Sequence, residues 1–167
     1  VEALGENKAI YGTLPEGFGD AYFSARQREV VPVCVIQPSS PQDVSTVIRI
    51  INQNSCHFAV KSGGHAMFAG ASNAIGGITI DLKYLNEIEL SQDHEIAMIG
   101  PGNRWGEVYK ILEPQGLTVV GGRASTVGVG GFMLGGKSII TYQCGKNQCS
   151  LCVRGHLFSF TIPWLGF

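Results

Sequence analysis

The stretch Lys61-Ser62-Gly63-Gly64-His65-Ala66-Met67-Phe68-Ala69-Gly70 decides how the rest of the chain is read. The apolar run Phe58-Ala59-Val60 precedes it, and the strand-like run Ile78-Thr79-Ile80-Asp81 follows. A glycine pair between two such runs lets backbone approach a ligand, because no Cβ intervenes. Successive N–H groups in a turn of this kind form an anion-binding concavity, and His65 stands beside it. The same pattern also describes an ordinary tight loop with a surface histidine. A second stretch breaks the tie: Gly121-Gly122-Arg123-Ala124-Ser125-Thr126-Val127-Gly128-Val129-Gly130-Gly131. Two glycine-rich loops around a strand-rich middle point to one extended, phosphate-bearing ligand.

Composition sets the frame. A chain of 167 residues allows one domain with a real core. Apolar content of 44% and charged content of 15% describe a globular protein rather than a disordered one. A net charge of −1 gives no nucleic-acid footprint. No apolar run has the length of a membrane span. No charged and then apolar leader opens the chain at Val1, so no signal peptide is read. Charge is unevenly placed: residues 1–136 hold all 13 acids, while 137–167 hold only Lys137, Lys146 and Arg154. That shift marks a boundary near Gly136. The expected organisation is an irregular lead-in at 1–21, a main domain at 22–136 and a divergent Cys-containing tail at 137–167.

Within the main domain, Val30 to Ile36 reads as a strand broken by Pro32. Gln37-Pro38-Ser39-Ser40-Pro41 turns into a helix, with Ser40 as cap, Pro41 in the first turn and Asp43 favoured by the dipole. Val44, Val47, Ile48 and Ile51 form its apolar face. Phe58 to Val60 follows as a strand, giving a parallel βαβ unit. Ile78 to Leu82 is a third strand. Ile88 to Leu90 and Glu95 to Ile99 flank Ser91-Gln92-Asp93-His94 as a hairpin. Trp105 to Leu112 is a short helix with Trp105, Val108, Tyr109 and Leu112 on one face, and Leu117 to Val120 is a strand. Cys34 and Cys56, placed near adjacent parallel strands, are expected within disulfide reach or as two buried thiols.

The ordered set Ser-Gly-Gly-His at 62–65, Ile80-Asp81-Leu82, Gly100-Pro101-Gly102-Asn103-Arg104-Trp105, Gly121-Gly122-Arg123 and Val127-Gly128-Val129-Gly130-Gly131 resembles the FAD-linked oxidases with a vanillyl-alcohol-oxidase-type (PCMH-type) flavin domain. Within these it is most similar to the berberine-bridge-enzyme-like oxidases, particularly fungal ones, from about Tyr22 to Gly136. The resemblance implies an α+β fold, a small parallel subdomain followed by an incomplete, largely antiparallel one, with FAD between them. It implies N–H groups of Ser62, Gly63, Gly64 and Ala66 on the pyrophosphate, and Gly70 in the same loop. Gly122, Thr126, Val127, Gly130 and Gly131 are expected to line the flavin from the other side. His65 takes the position of a covalent tether to the flavin. The second tether of many relatives, a cysteine, falls on Ala124, so attachment is expected to be single. Phe132 stands where many relatives have a histidine, and is expected at the cofactor. Arg104 and Trp105 are read as structural. The resemblance also implies a secreted protein acting on a small-molecule alcohol, sugar or amine; it says nothing of oligomeric state.

Beyond Gly136 the family pattern stops, and the expected substrate domain with its catalytic base does not follow. The chain is therefore expected to be a truncated form that turns over no substrate alone. Two other readings stay open. One is a non-functional product with a frameshifted or intron-derived tail. The other is a small metal-binding or P-loop protein. Gly131-Phe132-Met133-Leu134-Gly135-Gly136-Lys137-Ser138 fits the Walker A pattern, but no Asp follows Asp93 to hold a metal. Cys144, Cys149 and Cys152 have iron–sulfur spacing, but the fourth cysteine such a cluster needs further on does not follow, and His156 offers a Cys3His zinc alternative.

Overall fold

The structure is a computed structural model, and it describes residues 8–14 and 16–135 together with the backbone of 158–163. Two four-stranded sheets carry the fold. The first contains β1 (Ala9–Tyr11), β2 (Cys34–Ile36), β3 (Phe58–Lys61) and β4 (Ile78–Asp81). Helix α1 (Ala25–Arg28) precedes β2, and α2 (Pro41–Gln53) joins β2 to β3. The start of α2 is written into its sequence. The Ser40 hydroxyl accepts the Asp43 N–H at 3.1 Å, and Pro41 occupies the first turn, where a missing N–H costs nothing. Its face Val47 and Ile51 packs on Ile80 of β4, with Ile36, Ile48 and Leu82 around them.

The strand order is β1-β2-β4-β3, with β2, β4 and β3 parallel and β1 antiparallel to β2. This corrects the expected adjacency of the first two strands: β4 lies between them. Cys34 and Phe58 both pair with Ile78 from opposite sides. Two strand spacings amount to roughly 9–10 Å, beyond the ~7 Å limit for a disulfide. Cys34 and Cys56 are accordingly free thiols, and burial pushes the Cys34 thiol up. β1 lies inside the lead-in expected to be irregular. β2 begins only at Cys34, because Pro32 has no N–H for a ladder and the Val33 and Cys34 N–H groups both turn to the Gly77 carbonyl.

The second sheet has the order β5-β6-β8-β7 and is antiparallel throughout. It contains β5 (Ile88–Leu90), β6 (Ile96–Ile99), β7 (Leu117–Val119) and β8 (Phe158–Pro163). β8 comes from the compositionally distinct stretch, yet its backbone sits centrally, joining β6 to β7. Helix α3 (Trp105–Leu112) lays the fully buried Trp105, Val108 and Leu112 against Ala97, Ile99 and Val119. Helix α4 (Val129–Leu134) follows the second glycine-rich loop and adds Val129 to that core. Gly131 to Leu134 are therefore helical, and the N–H groups of Phe132 and Gly135 donate to Gly128 and Gly131 carbonyls. That geometry is not a phosphate loop; Lys137 and Ser138 lie outside the described residues. So do Cys144, Cys149, Cys152 and His156. No helix among the described residues is long and apolar enough to cross a membrane.

Candidate functional site

The two glycine-rich loops meet backbone to backbone. A Cβ built on Gly63 would lie 2.3 Å from the Gly128 nitrogen, and one on Gly128 would lie 2.1 Å from the Gly63 nitrogen. Ser62 locks this contact. Its hydroxyl donates to the Pro101 carbonyl at 2.6 Å and accepts the Gly130 N–H at 3.2 Å. The second loop is pinned along the start of α3, where Trp105 and Gly106 donate to the Val127 and Ser125 carbonyls, each at 3.0 Å. Val129 donates to the Asn103 carbonyl at 2.9 Å.

Within this junction the N–H groups of Gly63, Gly64, His65 and Ala66 donate to no acceptor among the described residues. Gly63 and Gly64 are buried, and Gly64 is left-handed at φ +66°. Buried N–H groups without a partner are costly, and a run of them in a turn is matched to an anion. His65 follows directly. Its ring stacks on Phe23, with centroids 4.1 Å apart and planes 16° apart.

Four features hold the cradle in place, and of these only Arg104 is given its structural role by the sequence. Arg104 donates to the Ala21 carbonyl at 2.9 Å and the Gly63 carbonyl at 3.4 Å. Lys61 pairs with Asp81 at 3.1 Å, both nearly fully buried and directly opposite in the β3–β4 register. Tyr22 lies under the Lys61 ammonium, 5.4 Å from its ring centre. Burial, and then the Asp81 carboxylate, hold its phenol above the ordinary range. Past the loop, Gln27, Ser72, Asn73 and Thr79 form a buried hydrogen-bonded network, with Asn73 donating to the Val30 carbonyl at 2.7 Å and accepting from Thr79 at 2.8 Å. The paired Lys and Asp at strand ends were a usable signal. Nothing local marked the Gln27 network.

The expected site residues separate into groups. Ser62 and Gly63 meet Thr126, Gly128 and Gly130 across the junction, while Gly64 packs on Ala21 and Tyr22 and His65 on Phe23. Gly122 serves packing: a Cβ there would lie 2.4 Å from the Trp105 ring. The Trp105 Nε1 is buried without a partner among the described residues, and Tyr109 donates to the Gly122 carbonyl at 3.0 Å. Gly131 is open, with nothing within 4 Å of a built Cβ, and Gly70, at φ +80°, approaches only Ile75. Ala124 is exposed. Phe132, expected at the cofactor, sets its ring edge-on to Trp105 at 5.4 Å. A cleft of about 410 Å³ opens beside Ser62, with Lys61, Asp81, Lys83, Asn103 and Arg104 in its walls. His65 does not line it, so the cleft and the N–H cradle are different places.

Residues 32–155 match a family described as an FAD binding domain. The chain belongs to that family. It is the FAD-binding domain of an FAD-dependent oxidoreductase of the berberine-bridge-enzyme-like, vanillyl-alcohol-oxidase type, and FAD is its cofactor. The FAD-dependent monooxygenase tpcD of Cochliobolus heterostrophus is 45% identical over 75% of this chain and 25% of its own length. Among solved structures, 6-hydroxy-D-nicotine oxidase of Arthrobacter nicotinovorans is 29% identical, with a TM-score of 0.63 over 75% of this chain and 28% of that one. Glucooligosaccharide oxidase of Acremonium strictum is 26% identical, with a TM-score of 0.62 over 72% and 26%. That oxidase carries a 6-S-cysteinyl, 8α-N1-histidyl FAD. The chain thus spans about a quarter of the length of these relatives. The donor set fits the cofactor: the unpaired N–H groups of Gly63 to Ala66 match a pyrophosphate.

Proposed function

We propose that this chain is the cofactor-holding part of an oxidoreductase acting on a small alcohol, sugar or amine, with its FAD attached once, through His65. The observation that carries this reading is the junction itself. Unpaired N–H groups of Gly63 to Ala66 lie beside an imidazole that makes no hydrogen bond among the described residues. When bound, FAD supplies the hydride acceptor and, once reduced, the electron donor to O₂. The chain's own residues do the holding. Gly63 to Ala66 present donors to phosphate, Arg104 and Ser62 fix their backbone, and His65 offers a ring nitrogen as nucleophile.

Among the described residues, no base for substrate stands in the junction. Lys61 and Asp81 are committed to each other, and His65 is committed to the tether. A positioned acid–base group contributes about 10²–10⁴-fold, so the chain by itself is expected to turn over no substrate. The monooxygenase names of the fungal relatives support a second reading, in which oxygen enters the product rather than leaving as peroxide. For the tether, the chain is loaded with FAD and precipitated with acid. Yellow colour is expected to stay on the wild-type protein and to leave the His65→Ala variant. Colour retained by His65→Ala refutes the assignment.

A further inference from the structure

We infer that Phe23 is a positioning residue for His65, fixing the plane of the imidazole while leaving both ring nitrogens free. The inference rests on the reading of His65 as the flavin tether. A histidine that reacts through one nitrogen is usually oriented by a hydrogen bond at the other. Neither nitrogen of His65 has such a partner among the described residues. What its ring meets there is the face of Phe23, at 4.1 Å between centroids and 16° between planes. A stacked ring restricts tilt and rotation without occupying an in-plane lone pair, which is what a nucleophilic imidazole requires.

The plate is itself fixed. The Phe23 N–H donates to the Gly64 carbonyl at 3.0 Å, and the Ser24 hydroxyl donates to the Met67 carbonyl at 3.1 Å. On the other side of Phe23, Tyr22 is buried at 1% exposure, its ring 3.1 Å from a Cβ built on Gly64. Residues 21 to 24 are therefore laced to residues 63 to 67 at successive positions, with Arg104 bridging Ala21 and Gly63. Phe23 nevertheless leaves 53% of its surface in solvent. Burial alone does not account for that placement; the ring contact it makes is the one with His65.

The test uses the full chain with Phe23→Leu, which keeps apolar bulk without a ring, and Phe23→Tyr, which keeps the ring. Without FAD, NMR of the His65 ring protons is expected to show an upfield ring-current shift in wild type and Phe23→Tyr, lost in Phe23→Leu. With FAD, the rate at which flavin becomes acid-stable is expected to fall about 2- to 12-fold in Phe23→Leu, the range of an aromatic pair contact, and to recover in Phe23→Tyr. Equilibrium FAD binding is expected to hold constant across the three. Wild-type chain that binds FAD but releases all of it in acid overturns the tether, and the positioning role with it. Wild type that keeps its flavin while Phe23→Leu attaches equally fast, or shows unmoved His65 resonances, overturns the positioning role alone.

Discussion

Replacing Gly63 with alanine tests whether the two glycine-rich loops touch. The new Cβ would meet the Gly128 nitrogen at 2.3 Å, its Cα at 2.6 Å and the Thr126 carbonyl at 3.2 Å. Ordinary contact begins at 3.4 Å, so backbone must retreat by about 1 Å. No side-chain rotation relieves the clash, because the atoms met are main chain. Overpacking of this kind costs about 1–3 kcal/mol, and the upper half of that range is expected here. The retreat also spoils the cradle. Losing one charge-assisted bond from N–H to phosphate, about 1.5–3 kcal/mol, weakens FAD binding about 10- to 150-fold. Gly131→Ala is the control, since its Cβ meets nothing within 4 Å and it lies in α4. There alanine is expected to be neutral or to add up to about 1 kcal/mol. Urea unfolding followed by tryptophan fluorescence gives the stability, and flavin fluorescence quenching gives the affinity. A Gly63→Ala chain with the wild-type midpoint and wild-type FAD affinity would refute the loop contact.

Removing the Asp81 carboxylate as Asp81→Ala leaves Lys61 charged and buried, and is expected to cost about 3–5 kcal/mol. The double change Lys61→Met with Asp81→Leu is expected to recover much of that loss, and equal urea midpoints for single and double variants would count against a buried pair. Asp43 gives a pH signature. The Lys8 ammonium at 2.7 Å, and then the Ser39 N–H at 2.9 Å, hold its carboxyl well below the usual carboxylate range. A depressed folded value means that its stabilisation is complete above the unfolded value, about 3.9, and fades as pH falls towards the folded one. Asp43→Asn should therefore lower the melting temperature at pH 7 and converge with wild type in strong acid; a constant gap across that range would contradict the assignment.

Local chemistry in the sequence marked the local structure. The Ser40-Pro41-Asp43 cap, the 3.6-residue pattern of Trp105, Val108 and Leu112, and the apolar run ending at Ile99 are short-range signals, and each stands where expected. Spatial order is not a short-range property. Nothing in Ile78-Thr79-Ile80-Asp81 says that it inserts between β2 and β3, so the adjacency inferred from chain order failed. β1 was illegible because three residues beside Gly12, at φ +79°, carry too little pattern to stand out from a turn-rich lead-in. Gly122, next to Gly121, is expected at the flavin from the resemblance alone, yet both positions have a structural reason to be glycine. That reason is Trp105, well upstream in the chain, whose ring lies against both.

Ser62 shows why identity and role diverge at this site. Its hydroxyl offers one donated hydrogen bond and accepting lone pairs. The donated bond goes to Pro101 and an acceptor site takes the Gly130 N–H, so the side chain ties the end of the first sheet to the start of α4. A phosphate therefore cannot receive that hydroxyl proton without the junction giving up a bond. The cradle's donors are main-chain N–H groups, which any residue compatible with the turn supplies. Glycine is required at 63 and 128 because the two backbones pass within van der Waals contact, a condition that holds before any ligand arrives. The missing Cβ atoms let the two loops dock backbone to backbone beside the N–H groups of Gly63 to Ala66, so the placement of those donors depends on the docking.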